Sequence, residues 1–107
     1  HVVKSVEMDG IIATNTTIDK SSLGSHPLAG EQGGLSGLPV HEKSNRVLKL
    51  LADHIDGKLP IIGVGGIMEG EDSADKIRLG ATAVQVYSGL IYKGPALVKE
   101  CLKALAR

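Results

Sequence analysis

The sequence contains no tryptophan and no phenylalanine, and Tyr87 and Tyr92 are its only aromatic residues. A core made from it must be aliphatic, and there is no aromatic ladder on which nucleobases could stack. With one cysteine the chain cannot close an internal disulfide, which favours a reducing compartment. Cys101 falls among Leu97, Val98, Leu102 and Leu105 at helical spacing and reads as a buried helix thiol rather than a nucleophile. Neither charge is in excess: 12 basic residues stand against 12 acidic ones. No Lys/Arg block concentrates positive potential, so neither nucleic acid nor an anionic membrane is an expected partner. No apolar run approaches the ~20 residues of a membrane-crossing helix, and no signal peptide opens the chain. A start at His1 rather than Met fits a segment excised from a longer protein.

Familiar site motifs are missing as well. Gly63-Val64-Gly65 begins a dinucleotide fingerprint, but Met68 occupies the position of its third glycine. Tyr87 and Ser88, not an acidic residue, stand at the end of the next strand. No Gly-Lys-Ser/Thr makes a nucleotide-hydrolase phosphate loop. His1, His26, His41 and His54 are too dispersed to indicate a metal site, and His41 and His54 are expected at the exposed face or the ends of their helix. No Ser-His-Asp arrangement can be assembled.

Glycine is abundant, with 14 residues, and it falls at telling places. Leu59-Pro60-Ile61-Ile62-Gly63-Val64-Gly65-Gly66-Ile67 is a short β-branched strand that empties into glycines. A strand apolar on both faces belongs to a parallel sheet covered by helices. Glycines at its carboxyl end let backbone N–H groups approach an anion. Upstream, residues 1–8 read as a helix tail. Ile11-Ile12-Ala13 is a strand leading into Thr14-Asn15-Thr16-Thr17, four hydrogen-bonding residues that suit either a capped turn or the lining of a ligand site. Residues 18–40 form a long Ser/Gly/Pro-rich connection that contains Gly33-Gly34-Leu35-Ser36-Gly37.

A helix is predicted from His41 to Asp56, with Val47, Leu48, Leu50, Leu51 and Ile55 inward and Gly57 as its cap. A second helix, about 71–79, carries Glu71, Asp72 and Asp75 near its start, where negative charge is favoured, and Gly80 closes it. Ala83-Val84-Gln85-Val86-Tyr87 is the third strand. A last helix begins at Gly94-Pro95, with Leu97, Val98, Cys101, Leu102 and Leu105 inward. Strands alternating with helices imply right-handed crossovers and a parallel α/β sheet. In a β/α barrel the carboxyl ends of such strands meet on one face, where ligands bind, and Gly65-Gly66 and Tyr87-Ser88 would share one phosphate there. A complete barrel needs about 250 residues, so 107 residues can supply only part of one.

Five segments in register carry a family resemblance: Ile12-Ala13-Thr14-Asn15-Thr16-Thr17; Gly33-Gly34-Leu35-Ser36-Gly37; Leu59 to Ile67; Val84-Gln85-Val86-Tyr87-Ser88-Gly89; and Tyr92-Lys93-Gly94-Pro95. Together they resemble the C-terminal portion of a dihydroorotate dehydrogenase, most closely the quinone-dependent class 2 branch. The resemblance implies that residues 1–107 are about three β/α units of a single TIM (β/α)8 barrel domain that binds FMN. It implies oxidation of (S)-dihydroorotate to orotate in pyrimidine synthesis, with a quinone as acceptor. Thr14 would contact the flavin. Asn15 and Thr16 would bond the dihydroorotate or orotate. Gly37, Gly66, Tyr87 and Ser88 would hold FMN, chiefly at its phosphate.

Met68-Glu69 and Ser73 depart from the family pattern just beyond the phosphate grip. The resemblance places the catalytic serine, a flavin-contacting lysine and the quinone-tunnel helices upstream of His1, so no catalytic residue and no metal ligand is expected here. The full-length protein would be peripheral to the cytoplasmic side of the cell membrane through those helices, and this segment alone would be soluble. Alone it would be inactive, because a missing base forfeits roughly 100- to 10,000-fold in rate. Two other readings fit the residues: a different phosphate-binding barrel enzyme, and a non-catalytic half-barrel module. In the second, open sheet edges would promote self-association.

Overall fold

A computed structural model describes residues 1–107. Three short strands, β1 (Ile11–Ala13), β2 (Ile61–Val64) and β3 (Ala83–Gln85), form one parallel sheet in the order β1-β2-β3. Ile11 pairs with Ile61 and Ala13 with Gly63, while Ile62 pairs with Ala83 and Val64 with Gln85. Parallel neighbours require crossover connections. Here α2 (His41–Ile55) links β1 to β2, and α3 (Gly70–Arg78) links β2 to β3. The last strand is followed by α4 (Ser88–Lys93) and α5 (Ala96–Leu105), and α1 (Val2–Ser5) precedes β1. The Cα atoms extend only 17 Å along the shortest axis, the depth of one sheet and one helix layer. A parallel sheet with helices along one face is the architecture expected of part of a TIM barrel.

The helix layer decides which strand residues are buried. Ala13 and Ile61 pack with Leu48 and Ile55 of α2 and with Ala81, and Ile11, Leu51, Ala52 and Ile77 lie against this cluster. A second cluster joins Ile67 to Leu97 and Cys101 of α5, with Val84 and Val86 against it. Cys101 is thus the buried helix thiol expected.

Two expected stripes are narrower than predicted. On α2 the buried positions are Ser44, Leu48 and Ile55, while Val47 and Leu50 face solvent. On α5 only Leu97 and Cys101 are buried, whereas Val98, Leu102 and Leu105 are exposed. Val47, Val98 and Leu102 stand about 100° around the axis from Leu48, Leu97 and Cys101 and miss the packed line, Leu50 faces nearly opposite Leu48, and Leu105 is the last residue of α5.

Element ends follow local chemistry. The left-handed turn that stops α2 begins one residue before the expected Gly57, at Asp56, whose N–H donates to Ala52 O at 2.9 Å. At the start of α3 the Asp72 carboxylate accepts the N–H groups of Met68 (2.9 Å) and Glu69 (3.1 Å), which would otherwise lack partners. β3 stops at Gln85, short of the expected Tyr87, and Ser88 to Lys93 form a helix absent from the sequence expectation.

Candidate functional site

The carboxyl ends of the three strands open onto one cleft of about 600 Å³. From β1 come Ile12, Thr14, Asn15 and Thr16; from the long loop, Gly34, Ser36 and Gly37; from the turn after β2, Gly65, Gly66 and Ile67; from the end of β3, Gln85 to Gly89. All seven site residues expected from sequence, Thr14, Asn15, Thr16, Gly37, Gly66, Tyr87 and Ser88, line this cleft.

Residues 14–40 reach the cleft because the loop doubles back on itself. Thr17 and Leu35 form an antiparallel bridge, with Thr17 N–H donating to Leu35 O at 3.0 Å and Leu35 N–H to Thr17 O at 2.8 Å. Asp19 braces the same loop by accepting from Ser21 Oγ (2.7 Å), Ser21 N–H (3.0 Å) and Lys43 Nζ (3.1 Å). These bonds, those from Ser21 foremost, hold its carboxyl well below the usual carboxylate range. Folded back, the loop sets Ser36 Oγ 2.6 Å from Ser88 Oγ, and both residues line the cleft.

The Gly65-Gly66 turn is shaped to offer amides. Both residues have positive φ, 124° and 75°, a backbone that side chains resist. A Cβ on Gly66 would lie 2.4 Å from His41 Cα, at the first residue of α2. The N–H groups of Gly65, Gly66 and Ile67 find no acceptor within the chain, nor do those of Ser88 and Gly89 at the start of α4. Gly66, Ile67 and Gly89 are buried. Buried amides without partners are uncommon and costly. Here they cluster on two loops that meet closely, since a Cβ on Gly89 would sit 2.2 Å from Ile67 O.

No residue lining the cleft carries a charge, so an anion would be held by dipoles. Unpartnered amides on two adjoining turns fit a phosphate. At its other end Asn15 Oδ1 accepts Thr16 N–H at 2.8 Å, and Thr14 N–H donates to Val64 O at 2.7 Å. Tyr87 lines the cleft although it is 72% exposed.

Sequence reasoning missed the layer behind the turn. Lys76 is the only charged side chain that is fully buried, at 0% exposure. Its Nζ donates to Ser44 Oγ (3.0 Å) and Asn45 Oδ1 (2.8 Å). Burial pushes its ammonium down to about 8, against the opposing pull of Asp72. A lysine in a helix otherwise rich in charge reads as solvated, and nothing in its spacing marks it as inward.

His41, expected on an exposed face or helix end, does begin α2, but its half-buried ring bonds Gly66 O at 2.9 Å. Folding also brings His41 beside Asp72 and Asp75, with potential ligand atoms within 4.8 Å of one another. Asp72 already accepts two amides, and Asp75 is paired with Arg78.

The dihydroorotate dehydrogenase family model matches residues 1–107. Over all 107 residues the chain is 98% identical to a dihydroorotate dehydrogenase (quinone) of Neisseria meningitidis serogroup A, covering 32% of that protein. A relative of the same name from Thiobacillus denitrificans is 57% identical over 94% of this chain and 30% of its own length. Among solved structures, that of Eimeria tenella DHODH in complex with ferulenol superposes with a TM-score of 0.88 at 39% identity, over 97% of this chain and 28% of the other. The chain spans about a third of the length of the curated relatives it matches. No helix is long and apolar enough to cross a membrane.

Proposed function

The chain belongs to the dihydroorotate dehydrogenase family, and from that premise we propose that it forms the phosphate grip and half of the substrate clamp of an FMN-dependent enzyme. That enzyme oxidises (S)-dihydroorotate to orotate in pyrimidine biosynthesis, with a quinone as final acceptor. The activity belongs to a protein of the relatives' full length, about a third of which this chain matches.

One observation carries the reading. Seven residues drawn from separate segments converge on a cleft whose floor offers five amides with no acceptor in the chain. The amides after β2 and at the start of α4, with Gly37 opposite, would hold the FMN phosphate, and Thr14 would lie beside the flavin. Asn15 would bind the pyrimidine because its carboxamide can both donate and accept; its Oδ1 is engaged with Thr16 N–H, which leaves the amide nitrogen to donate. Thr16 would add a hydroxyl that does either. Bound FMN supplies the two-electron acceptor. Thr14, Asn15 and Thr16 bind and orient, and the proton acceptor lies outside this chain. Contact with the membrane and with quinone is likewise assigned to the part of the protein outside it.

In the full-length enzyme, Asn15→Ala should raise the KM for dihydroorotate by about 10- to 100-fold, the worth of one or two bonds to a charged ligand, while flavin content stays at one per chain. A wild-type protein that purifies without flavin, or that fails to oxidise dihydroorotate with a quinone, would refute the assignment.

A further inference from the structure

The Gly65-Gly66 turn is held from behind by one buried ammonium acting through two hydrogen-bonded arms. In the first, Lys76 Nζ donates to Ser44 Oγ at 3.0 Å, and Ser44 Oγ donates to Val64 O at 2.8 Å. In the second, Lys76 Nζ donates to Asn45 Oδ1 at 2.8 Å, Asn45 Nδ2 to His41 Nε2 at 3.3 Å, and His41 Nδ1 to Gly66 O at 2.9 Å. One donor–acceptor assignment satisfies every bond: His41 donates from Nδ1 and accepts on Nε2. The lysine reaches this position across the outer face of β2, where a Cβ on Gly63 would come within 3.0 Å of Lys76 Cδ.

The two carbonyls so gripped bracket the turn. A peptide unit is planar, and in the trans form its N–H points opposite to its C=O. Val64 O also accepts Thr14 N–H at 2.7 Å, so Thr14 and Ser44 together orient the Val64–Gly65 peptide and aim Gly65 N–H away from both. Gly66 O is bonded by His41, and this aims Ile67 N–H likewise. Both residues line the cleft, and neither amide has an acceptor in the chain. Accepting a hydrogen bond on the carbonyl also polarises the N–H of the same peptide.

We propose that Lys76 is a positioning residue for phosphate recognition: through Asn45–His41 it fixes the direction of the Ile67 amide, and through Ser44 it braces that of Gly65 alongside the bond from Thr14. The inference rests on the reading of the cleft as a phosphate site. It also gives an uncharged cleft a source of positive charge placed behind the backbone rather than beside the ligand.

The test uses the full-length enzyme stripped of flavin and titrated with FMN and with riboflavin, which lacks only the phosphate. Lys76→Met keeps the aliphatic stem and removes every donor. It should weaken FMN by about tenfold or more, the scale of lost charge-assisted bonds, and leave riboflavin within about twofold, so that the ratio of the two affinities collapses. Ser44→Ala and His41→Phe sever one arm each. Each should lower that ratio part of the way, and they carry the test should the lysine variant not fold. Equal weakening of both flavins would assign Lys76 a merely structural role and overturn the proposal, as would an unchanged ratio in the variants. A wild-type protein that does not distinguish FMN from riboflavin would instead refute the phosphate reading itself, and the inference with it.

Discussion

The two faces of the three-stranded sheet differ sharply. On the helix-covered face, Ala13 and Ile61 are buried against Leu48, which is 0% exposed. On the other face, one residue along the same strand, Ile12 is 63% exposed, and Ala83 and Gln85 are open as well. The covered face holds the chain together and, through Lys76, shapes the turn. The open face carries the ligand cleft at its upper end and an apolar surface below. A parallel sheet is ordinarily covered on both sides, and a chain that spans a third of its relatives covers only one.

Leu48→Ala should break the covered face. With no solvent at the site, the expected loss is about 3–5 kcal/mol of unfolding free energy, enough to abolish a cooperative urea transition in a segment this thin. A loss below about 1 kcal/mol would mean that the core lies elsewhere.

Lys76 should give the same face a pH signature. Its ammonium titrates near 8 in the fold and near 10.5 once unfolded. Between those values the unfolded chain binds more protons, so the contribution to stability rises with pH, by at most about 3 kcal/mol. Below pH 8 the cost of the buried charge is present in full, tempered by Asp72. Subtracting the stability curve of Lys76→Met from that of the wild type should isolate this rise; a flat difference would show that the ammonium is solvated.

The smallest effect is expected on the open face. Ile12→Ser should change the stability of this 107-residue chain by less than about 0.5 kcal/mol, as for an exposed position. In the full-length protein the same substitution should cost several times more, if the rest of the barrel covers Ile12. A large cost in the short chain, together with a dimer by light scattering, would show instead that two copies cover each other's open faces.

Much of the site was legible because glycine and short polar residues are informative where strands end. Thr14 to Thr16, Gly66 and Ser88 stand at such positions, Gly37 is marked by the family resemblance, and all of them meet in one cleft. The supporting layer was not legible. Ser44, Asn45 and His41 lie at the start of an amphipathic helix, where polar residues read as a solvated end, yet the turn after β2 packs directly on them. Helix α4 also went unseen: Ser88 to Lys93 is short, contains Gly89 and leaves Ile91 and Tyr92 exposed, so it has no apolar stripe to reveal it.

By itself the sequence determined the order of the three strands and of the helices between them, the parallel α/β architecture and the residues at the strand ends. Periodicity and turn chemistry are local properties, written within a few residues. Only the tertiary structure decided which of two adjacent isoleucines, Ile11 or Ile12, faces the helices. Only it turned Lys76 inward beneath the Gly65-Gly66 turn. Both outcomes depend on the register of β1 against β2 and on where α2 and α3 lie across them. Those are relations between segments 20 to 50 residues apart, and no local pattern encodes them.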